Sequence, residues 1–480
     1  MGEQNMSNES DDLRRLLSAP TNRRQLLRGM TITGAGLAFG GSILAACGGS
    51  DDDDAGSTDT SAVTDETAET SGSQAPSTGG EAASDAGAQL AEMLGVDPAN
   101  AGGGMTWEMG AVLALTGPGS FYGKTMTNGI NLAVKHIKAA GGPDINVTTL
   151  DHKSGDAQAG VDAMRDLIAK GVPAKLASYV DDLGAMLPQT AQSKMFTLDG
   201  GGGTSIFGQG QPYFYGTRAI TPNDALPGAL KYIAETMPEA KTLGYIVWDL
   251  GEPTNTQIKD DLLAKAEAEG FEFNGLYEPY PVGASDYSTL IPKIKANLPD
   301  VLIAYGSGQD PGHFSSQWYT SGGDLCPFIG FELTPDGVNA AKGAYDEYGF
   351  TFAADYFDES VGVNPLAKLF LSEFQAEYGE APDFYAANFY ENTLAMWDVI
   401  RRVLAKGGDI NSGEELDAAF QEDLSAASVY GGDESTVGRY EIDPETHSVI
   451  RRPMGVFQRK DGEVTPLAYF NINGDDFELA

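Results

Sequence analysis

The sequence predicts an α/β protein made of two lobes, each built on a doubly wound parallel sheet. Patterns typical of strands and helices alternate from Ala111 onward, as expected when helices cover both faces of a parallel sheet. The alternation starts again after Pro222, so we expect a second lobe built like the first. The chain has 480 residues, which is enough for two domains of ordinary size even without its N-terminal segments.

The stretch 111–142 shows the repeating unit most clearly. A short apolar run at 111–115 is followed by the turn sequence TGPG, and Met126, Ile130 and Ile137 then recur at helical spacing. A loop that joins a strand to a helix places the free N–H groups of that helix at the carboxyl edge of the sheet. Ligands of open α/β sheets bind at this edge, so the stretch is a candidate for ligand binding.

The remaining elements follow from the same periodicities. Strands are predicted at 146–151, 174–179, 195–198, 243–248, 271–277, 301–305 and 328–331, and helices at 157–170, 256–269, 286–296 and 312–321.

Residues 1–47 have the features of an export signal. Arg23 and Arg24 precede a weakly apolar run at 30–46, an order that resembles a twin-arginine signal. The residues LAAC at 44–47 match the lipobox of bacterial lipoproteins at every position. We therefore expect lipid attachment to the thiol of Cys47 and anchoring at the outer face of the cytoplasmic membrane. A short membrane anchor with a chance cysteine is the alternative.

Residues 48–104 form a segment of different composition. Gly, Ser, Thr, Ala, Asp and Glu dominate it, Asp51–Asp54 are consecutive, and Lys and Arg are missing. Such a segment buries too little apolar surface to offset the entropy lost on ordering. We therefore predict a disordered acidic linker, with a helical turn or two near 88–94.

The overall charge excludes one class of partner. The chain carries 69 acidic and 30 basic residues, which gives a formal net charge of −39. A nucleic acid backbone would be repelled by such a surface. Because the lipobox predicts lipid on Cys47, we expect the membrane as a partner only through that anchor.

Three stretches resemble the solute-binding proteins of ABC importers for branched-chain amino acids, which are type I periplasmic binding proteins. They are LTGPGSFYGKTMTNGINLAVKHIKAAGG, GASDYSTLIPKIKANLPDVLIAYGSG and APDFYAANFYENTLAMWDVI. The resemblance covers nearly all of 105–480. It implies a small-molecule solute as ligand, an ABC permease and ATPase as partners, and no cofactor, metal or catalytic residue.

The resemblance also implies how the lobes are divided. Lobe 1 would comprise 105–218 and 355–436, and lobe 2 would comprise 222–349 and 440–480. The chain would cross between them near 217–221, 349–354 and 432–440, and the solute would bind in the intervening cleft. Hinges of a few loop residues allow such lobes to close as rigid bodies.

Candidate ligand-binding residues follow from the loops that line the cleft in the family. Tyr122 corresponds to an aromatic wall, and Glu332 to a carboxylate that binds the ammonium group of an amino acid. Aspartates stand where relatives carry Ser or Thr hydroxyls, glycines allow a ligand close to the backbone, and Trp248 or Glu252 would replace a missing Tyr. The full set is Tyr122, Asp181, Asp182, Gly202, Gly203, Thr204, Trp248, Glu252, Ser307 and Glu332.

The acidic residues in this set leave the ligand class open. Asp181, Asp182, Asp199, Glu252 and Glu332 could all face one cleft and would repel a carboxylate. A cationic or neutral solute, such as an amine, an amide or a urea-like compound, therefore stands beside a leucine-like amino acid.

Two other functions are open to a chain of this kind. An exported α/β hydrolase would need the nucleophile elbow G-x-S-x-G, which is missing, as are H-E-x-x-H, C-x-x-C and the P-loop. We therefore expect no enzyme activity. A ligand-sensing protein without an importer would use the same cleft, and the sequence does not separate it from a transport protein.

Overall fold

The structure is a computed structural model, and the part of the chain that it describes lies within 79–480. Residues 118, 179, 201–209, 220, 253, 324, 356 and 358–363 are not described, nor are the side chains of 79–84, 180–184, 221 and 473.

The described helices alternate with strands over most of the chain. They are α1 (Gly79–Met93), α2 (Ser120–Ala139), α3 (Ala157–Ala169), α4 (Val180–Ser193), α5 (Thr221–Asp224), α6 (Leu226–Thr236), α7 (Thr254–Ala268), α8 (Leu290–Ala296), α9 (Asp310–Thr320), α10 (Pro335–Ala341), α11 (Ala344–Tyr348), α12 (Pro365–Tyr378), α13 (Phe384–Ala405), α14 (Gly413–Gln421) and a 3₁₀ turn at Ile472–Gly474.

The described strands belong to three sheets. They are β1 (Thr106–Leu113), β2 (Asp144–Asp151), β3 (Ala174–Ala177), β4 (Phe196–Asp199), β5 (Phe214–Gly216), β6 (Thr242–Asp249), β7 (Glu272–Pro281), β8 (Val301–Tyr305), β9 (Phe328–Phe331), β10 (Phe350–Asp355), β11 (Ser425–Ser428), β12 (Gly438–Ile442), β13 (Val449–Arg451), β14 (Pro453–Lys460), β15 (Glu463–Asn471) and β16 (Glu478–Leu479).

The first sheet has the strand order β2-β1-β3-β4-β5, and all its strand pairs are parallel. Its central strands are short and apolar because helices cover both faces, which is typical of parallel sheets. Helix α13 packs along α2 and is buried over most of its length. This lobe therefore contains a helix that comes from far along the chain.

The second sheet has the order β16-β15-β14-β10-β9-β8-β6-β7. Strands β6 to β10 pair in parallel, whereas β14, β15 and β16 add an antiparallel edge. The prediction of two doubly wound parallel-sheet lobes is confirmed, and the antiparallel edge is an addition that the sequence patterns did not indicate.

Three segments of the polypeptide connect the lobe of the first sheet with the lobe of the second sheet. The first follows β5 at 217–220, the second follows β10 at 356–364, and the third is Arg452 between β13 and β14. The structure differs here from the expected crossings, because 350–354 lie in β10 and 438–442 form β12 of the small sheet β11-β12-β13. A bridge between Gly216 and Ser448 joins this small sheet to the first sheet.

Helix α1 corrects the expectation for the end of the predicted linker. Its residues lie within 48–104, yet Ala86 and Leu90 are buried, and the helix packs against α2. A Cβ at Gly87 would lie 2.4 Å from the backbone of Ala139, so the two helices approach closely. Small side chains pack well in such a contact, and composition alone therefore underestimated the order of 79–104.

Candidate ligand-binding cleft

Side chains from the two sheets meet at the carboxyl edges of their parallel strands. Tyr122, in the first turn of α2, places its hydroxyl 3.4 Å from Ser307 Oγ, which follows β8. Gly308 allows this approach, because it has φ of +66° and a Cβ there would lie 2.9 Å from Tyr122 Oη. Two of the predicted binding residues, one from each side, are therefore in contact.

The loop before α2 is fixed by side chains that follow β2. Asp151 accepts hydrogen bonds from the backbone N–H of Leu115 at 2.9 Å and from Thr116 Oγ1 at 2.6 Å. Ser154 Oγ accepts from the backbone N–H of Gly119 at 2.9 Å. Burial opposes the charged form of Asp151, but the hydrogen bonds that its carboxylate accepts outweigh this effect and lower its pKa. The turn that the sequence marks as TGPG is thus tied to the neighbouring strand.

Tyr122 also packs against an aromatic ring from α13. Its ring centroid lies 4.7 Å from that of Tyr385 in an edge-to-face arrangement. Burial first, and the charge of Glu332 second, raise the pKa of Tyr122. The phenol therefore stays protonated and can donate one hydrogen bond.

Glu332 lies immediately after β9 and is buried, with φ of +61°. A non-glycine residue in this left-handed region is strained, and such strain concentrates at functional sites. Its carboxylate accepts from Ser307 Oγ, from Tyr385 Oη at 3.3 Å and from Arg218 Nη2 at 2.6 Å. Thus Tyr122, Ser307 and Glu332 form one cluster across the two sheets.

A chain of buried ion pairs continues from this cluster. Arg218 Nε donates to Asp355 Oδ2 at 2.9 Å, and Arg452 Nε donates to the same oxygen at 3.2 Å. Arg452 Nη1 in turn donates to Glu391 Oε1 at 2.8 Å. The charges of these side chains alternate in sign, as buried charges require. The order is Glu332, Arg218, Asp355, Arg452 and Glu391.

Further contacts stabilise Glu391 and Arg452. Glu391 Oε2 accepts from Ser428 Oγ at 2.6 Å, and the guanidinium of Arg452 lies 3.8 Å from the ring centroid of Tyr430. Burial alone would lower the pKa values of both arginines, but the neighbouring carboxylates raise them above the usual range. Both arginines are therefore charged.

A second polar pair lies at the edge of the first sheet. His152 Nε2 is 3.2 Å from Ser178 Oγ, and the backbone N–H of Gly155 donates to His152 Nδ1 at 3.2 Å. His152 and Ser178 are fully buried where β2 and β3 end. This places a serine hydroxyl at the edge where ligands of such sheets bind.

The other predicted site residues lie apart from the cluster or outside the described residues. Trp248 lies near the end of β6, and its Nε1 donates to Oδ2 of Asp310, the first residue of α9, at 2.7 Å. Glu252 is exposed and accepts from Thr256 Oγ1 at 2.7 Å. Asp181 and Asp182 lie in the first turn of α4, where only the backbone is described. Gly202, Gly203, Thr204 and Cys47 lie outside the described residues.

Sequence reasoning missed the residues that hold the cluster together. Arg218, Asp355, Glu391 and Arg452 come from distant parts of the chain, so no spacing rule connects them. The signal that could have found two of them is a lone charge in apolar surroundings, as in the sequences RAI at 218–220 and NFYENTLAMW at 388–397.

The described residues show neither a metal centre nor a membrane span. No group of three or more His, Cys, Asp or Glu side chains among them could hold a metal ion. Within the same part of the chain, every helix is too short or too polar to cross a bilayer.

Comparisons with solved structures agree with this architecture. The chain is similar to the leucine-binding protein LivK of Thermotoga maritima, with 18% identity, a TM-score of 0.63, and coverage of 76% of this chain and 99% of that one. It is similar to LivJ of Streptococcus pneumoniae, solved with isoleucine, with 19% identity, a TM-score of 0.61, and coverage of 76% and 99%.

A third similar structure carries a different ligand. It is a solute-binding protein of an ABC transporter from Rhodopseudomonas palustris BisB5, solved with 3,4-dihydroxybenzoic acid, with 21% identity, a TM-score of 0.63, and coverage of 77% and 99%. A comparison with curated proteins gave no significant match. The family model described as periplasmic binding protein matches residues 106–463, which is most of the chain. The chain therefore belongs to the periplasmic binding protein family.

Proposed function

We propose that this protein is the extracytoplasmic solute-binding lipoprotein of an ABC importer. It would capture a small solute between its two lobes and deliver it to a permease. The observation that carries this proposal is the contact of Tyr122 from α2 with Ser307 after β8, beside the buried carboxylate of Glu332. These groups can surround a solute only if they approach it from both sides.

Several features support closure around a ligand. The connections between the sheets are short, and short hinges allow rigid-body movement of lobes. Tyr122, Ser307 and Glu332 supply a hydroxyl, a second hydroxyl and a carboxylate at the edge where open sheets bind ligands. A solute shifts the equilibrium between open and closed lobes only by its preference for the closed form, so contacts from both lobes are needed.

The solute class follows in outline from the family. The similar structures named above were solved as a leucine-binding protein, with isoleucine, or with an aromatic acid. We propose a solute of comparable size, namely an amino acid or a related amide, amine or acid. The remaining predicted residues, including Asp181, Asp182 and Trp248, would complete the walls of the cleft.

Export and anchoring complete the proposal. The lipobox at 44–47 would place the protein at the outer face of the cytoplasmic membrane through lipid on Cys47. Because α1 packs against α2, this helix would belong to the folded part and not to the linker. The partners would be a permease and an ATPase. We propose no catalytic role, because the family binds solutes.

A thermal-shift screen tests this function directly. The purified protein is heated with amino acids, amines, amides, ureas and aromatic acids, and a ligand that binds only the folded state raises the melting temperature. A solute at 100 times its dissociation constant adds about 2.7 kcal/mol of stability. We expect at least one clear hit, and an enzyme assay of the same solutes should show no turnover.

A matched pair of variants locates the site. Tyr122→Ala should abolish the shift given by the best solute. Tyr348→Ala should keep it, because Tyr348 is an exposed tyrosine next to the amino end of β10, at the opposite edge of the sheet. If no solute in the screen raised the melting temperature, or if both variants behaved alike, the proposal would be wrong.

A further inference from the structure

The carboxylate of Glu332 is already bound by donors of the chain itself. Arg218 Nη2 lies 2.6 Å from Oε1, while Ser307 Oγ and Tyr385 Oη donate to Oε2. A carboxylate has about four acceptor sites, so an ammonium group could make at most one hydrogen bond to Glu332 unless it displaced one of these three donors. The displaced donor would then be buried without a partner, which is costly.

Several contacts fix the side chain of Arg218 in place. Its side chain is 2% exposed, and its Nε donates to Asp355 at 2.9 Å. Its guanidinium also lies 4.6 Å from the ring centroid of Tyr385. Removing one partner from a buried ion pair leaves an uncompensated charge, so the pair of Arg218 and Glu332 should persist when a ligand binds.

Two other described carboxylates, those of Asp310 and Asp383, are occupied in a similar way. Asp310 accepts from Trp248 Nε1 at 2.7 Å and from the backbone N–H of Gly283 at 2.9 Å. Asp383 accepts from the backbone N–H of Ala386 at 2.8 Å and from Thr125 Oγ1 at 2.9 Å. Burial raises the pKa of each aspartate to about 6. Among the described side chains, these carboxylates therefore serve the chain itself and not a cation.

Ser178 differs from these carboxylates, because its hydroxyl can donate a hydrogen bond to a ligand. Because the backbone N–H of Gly155 donates to Nδ1 of His152, the neutral ring carries its hydrogen on Nε2. That nitrogen lies 3.2 Å from Ser178 Oγ and donates to it. The hydroxyl hydrogen of Ser178 then needs an acceptor, and no described residue supplies one. A buried hydroxyl at the carboxyl end of β3 is thus ready to donate to a ligand oxygen.

We propose that the cleft takes a small solute that presents a carboxylate or amide oxygen to Ser178 and carries no ammonium group, and that Arg218 enforces this choice by occupying Glu332. His152 acts as a positioning residue, because it fixes which way the Ser178 hydroxyl donates. This proposal rests on the proposed function and narrows its solute class. It replaces the role of Glu332 as an ammonium ligand.

Matched solutes test the proposal on the unaltered protein. One series has a branched aliphatic skeleton: leucine, 4-methylpentanoate, 4-methylpentanamide and 3-methylbutylamine. The other has a phenyl ring: phenylalanine, 3-phenylpropanoate, 3-phenylpropanamide and 2-phenylethylamine. Titration calorimetry should show an acid or an amide binding at least about tenfold more tightly than the amino acid and the amine of its series. The tighter of the two shows which oxygen is used.

The possible outcomes separate this proposal from the proposed function. Tightest binding by an amino acid or an amine in these series, or an ammonium-bearing best solute in the wider thermal screen, would overturn the selectivity and leave the proposed function intact. Binding of no solute in any series or in the wider screen would overturn both.

Variants test the two residues separately. Ser178→Ala should weaken binding of the preferred acid or amide about tenfold, whereas Ser315→Ala should not, because it removes a buried hydroxyl that has no hydrogen-bond partner among the described residues. Arg218→Met should improve binding of the matched amine by freeing Glu332, and the added change Glu332→Gln should remove the gain. If Arg218→Met does not fold, the solute series and Ser178→Ala still decide. Equal binding by the Ser178 and Ser315 variants would contradict the proposal.

Discussion

Arg452 donates from Nε to Oδ2 of Asp355 at 3.2 Å, and both side chains are buried. Asp355 ends β10 at the start of the second connection, and Arg452 is the third connection. Arg218, in the first connection, donates to the same oxygen at 2.9 Å. One carboxylate therefore joins all three connections between the sheets, at the place where any hinge must bend.

Asp355→Asn tests how much this junction stabilises the fold. The change leaves two buried arginines without their shared counter-charge, so the free energy of unfolding should fall by about 3 kcal/mol. Urea denaturation measures the loss. Glu380→Gln is the control, because it removes an exposed ion pair with Lys124 and should cost well under about 1 kcal/mol. Equal losses for both variants would show that the junction is not special.

Gly308→Ala tests the contact across the cleft. A Cβ at this position would lie 2.9 Å from Tyr122 Oη, so the lobes could not close fully around a solute. We expect solute affinity to fall about tenfold or more by calorimetry. Gly322→Ala has nearly the same φ, +69° against +66°, with no atom within 4 Å of the new Cβ.

The two glycine variants should share the same backbone strain, about 1 kcal/mol, and differ only in affinity. A normal affinity in Gly308→Ala would mean that Tyr122 and Gly308 do not meet when the solute is bound.

His136 makes the stability of lobe 1 dependent on pH. It is fully buried on α2, with Nδ1 2.9 Å from Tyr390 Oη, and burial first and Lys135 second lower its pKa to about 4. The unfolded chain therefore takes up a proton below about pH 6.5 while the folded protein does not.

The contribution of His136 to the free energy of unfolding should consequently be constant above pH 6.5. It should fall toward pH 4 by at most about 1.4 kcal/mol per pH unit. His136→Gln should remove that slope in denaturation curves measured at several pH values. Parallel curves for the wild type and the variant would show that this histidine does not cause the effect.

Lys175 should make stability depend on pH in the same direction as His136, but in the alkaline range. Its ammonium group is buried under α4, where Nζ donates to Thr190 Oγ1 at 2.9 Å and Thr197 Oγ1 at 2.6 Å. Burial lowers its pKa to about 7, with Asp199 opposing that effect. Between pH 7 and 10.5 the unfolded chain binds more protons than the folded one, so stability rises with pH.

Lys175→Met should remove this rise, and at pH 7 or below the variant should be the more stable protein. Thermal denaturation at pH 7 and pH 9 measures both. A wild-type protein whose stability relative to Lys175→Met is unchanged over this range would contradict the expected shift.

The parts of the fold that the sequence predicted are those with strong local patterns. The strands β3, β8 and β9 are apolar runs between turns, and each appears close to its predicted place. The antiparallel strands β14 to β16 were missed, because edge strands with mixed polar and apolar residues give a weak signal. The length of helix α1 was underestimated, since only a turn or two near 88–94 was predicted and its stability comes from contact with α2, which composition does not show.

The site was predictable to a smaller extent. The family resemblance led us to place Tyr122, Ser307 and Glu332 in one cleft, and the structure brings them together, while their binding of a solute stays a prediction. Their interaction with Arg218 was not predictable, since it depends on how the connections fold back on one another. The absence of a described acceptor for the Ser178 hydroxyl hydrogen was likewise not predictable, because it depends on the hydrogen bond that Gly155 donates to His152.

A crystal structure of the protein with the solute that binds most tightly in the thermal screen would show directly whether the cleft is the binding site. We expect this solute to lie between the two sheets and to contact Tyr122 from lobe 1 together with the loop around Ser307 from lobe 2. A solute bound entirely on one lobe, or away from these residues, would contradict this expectation.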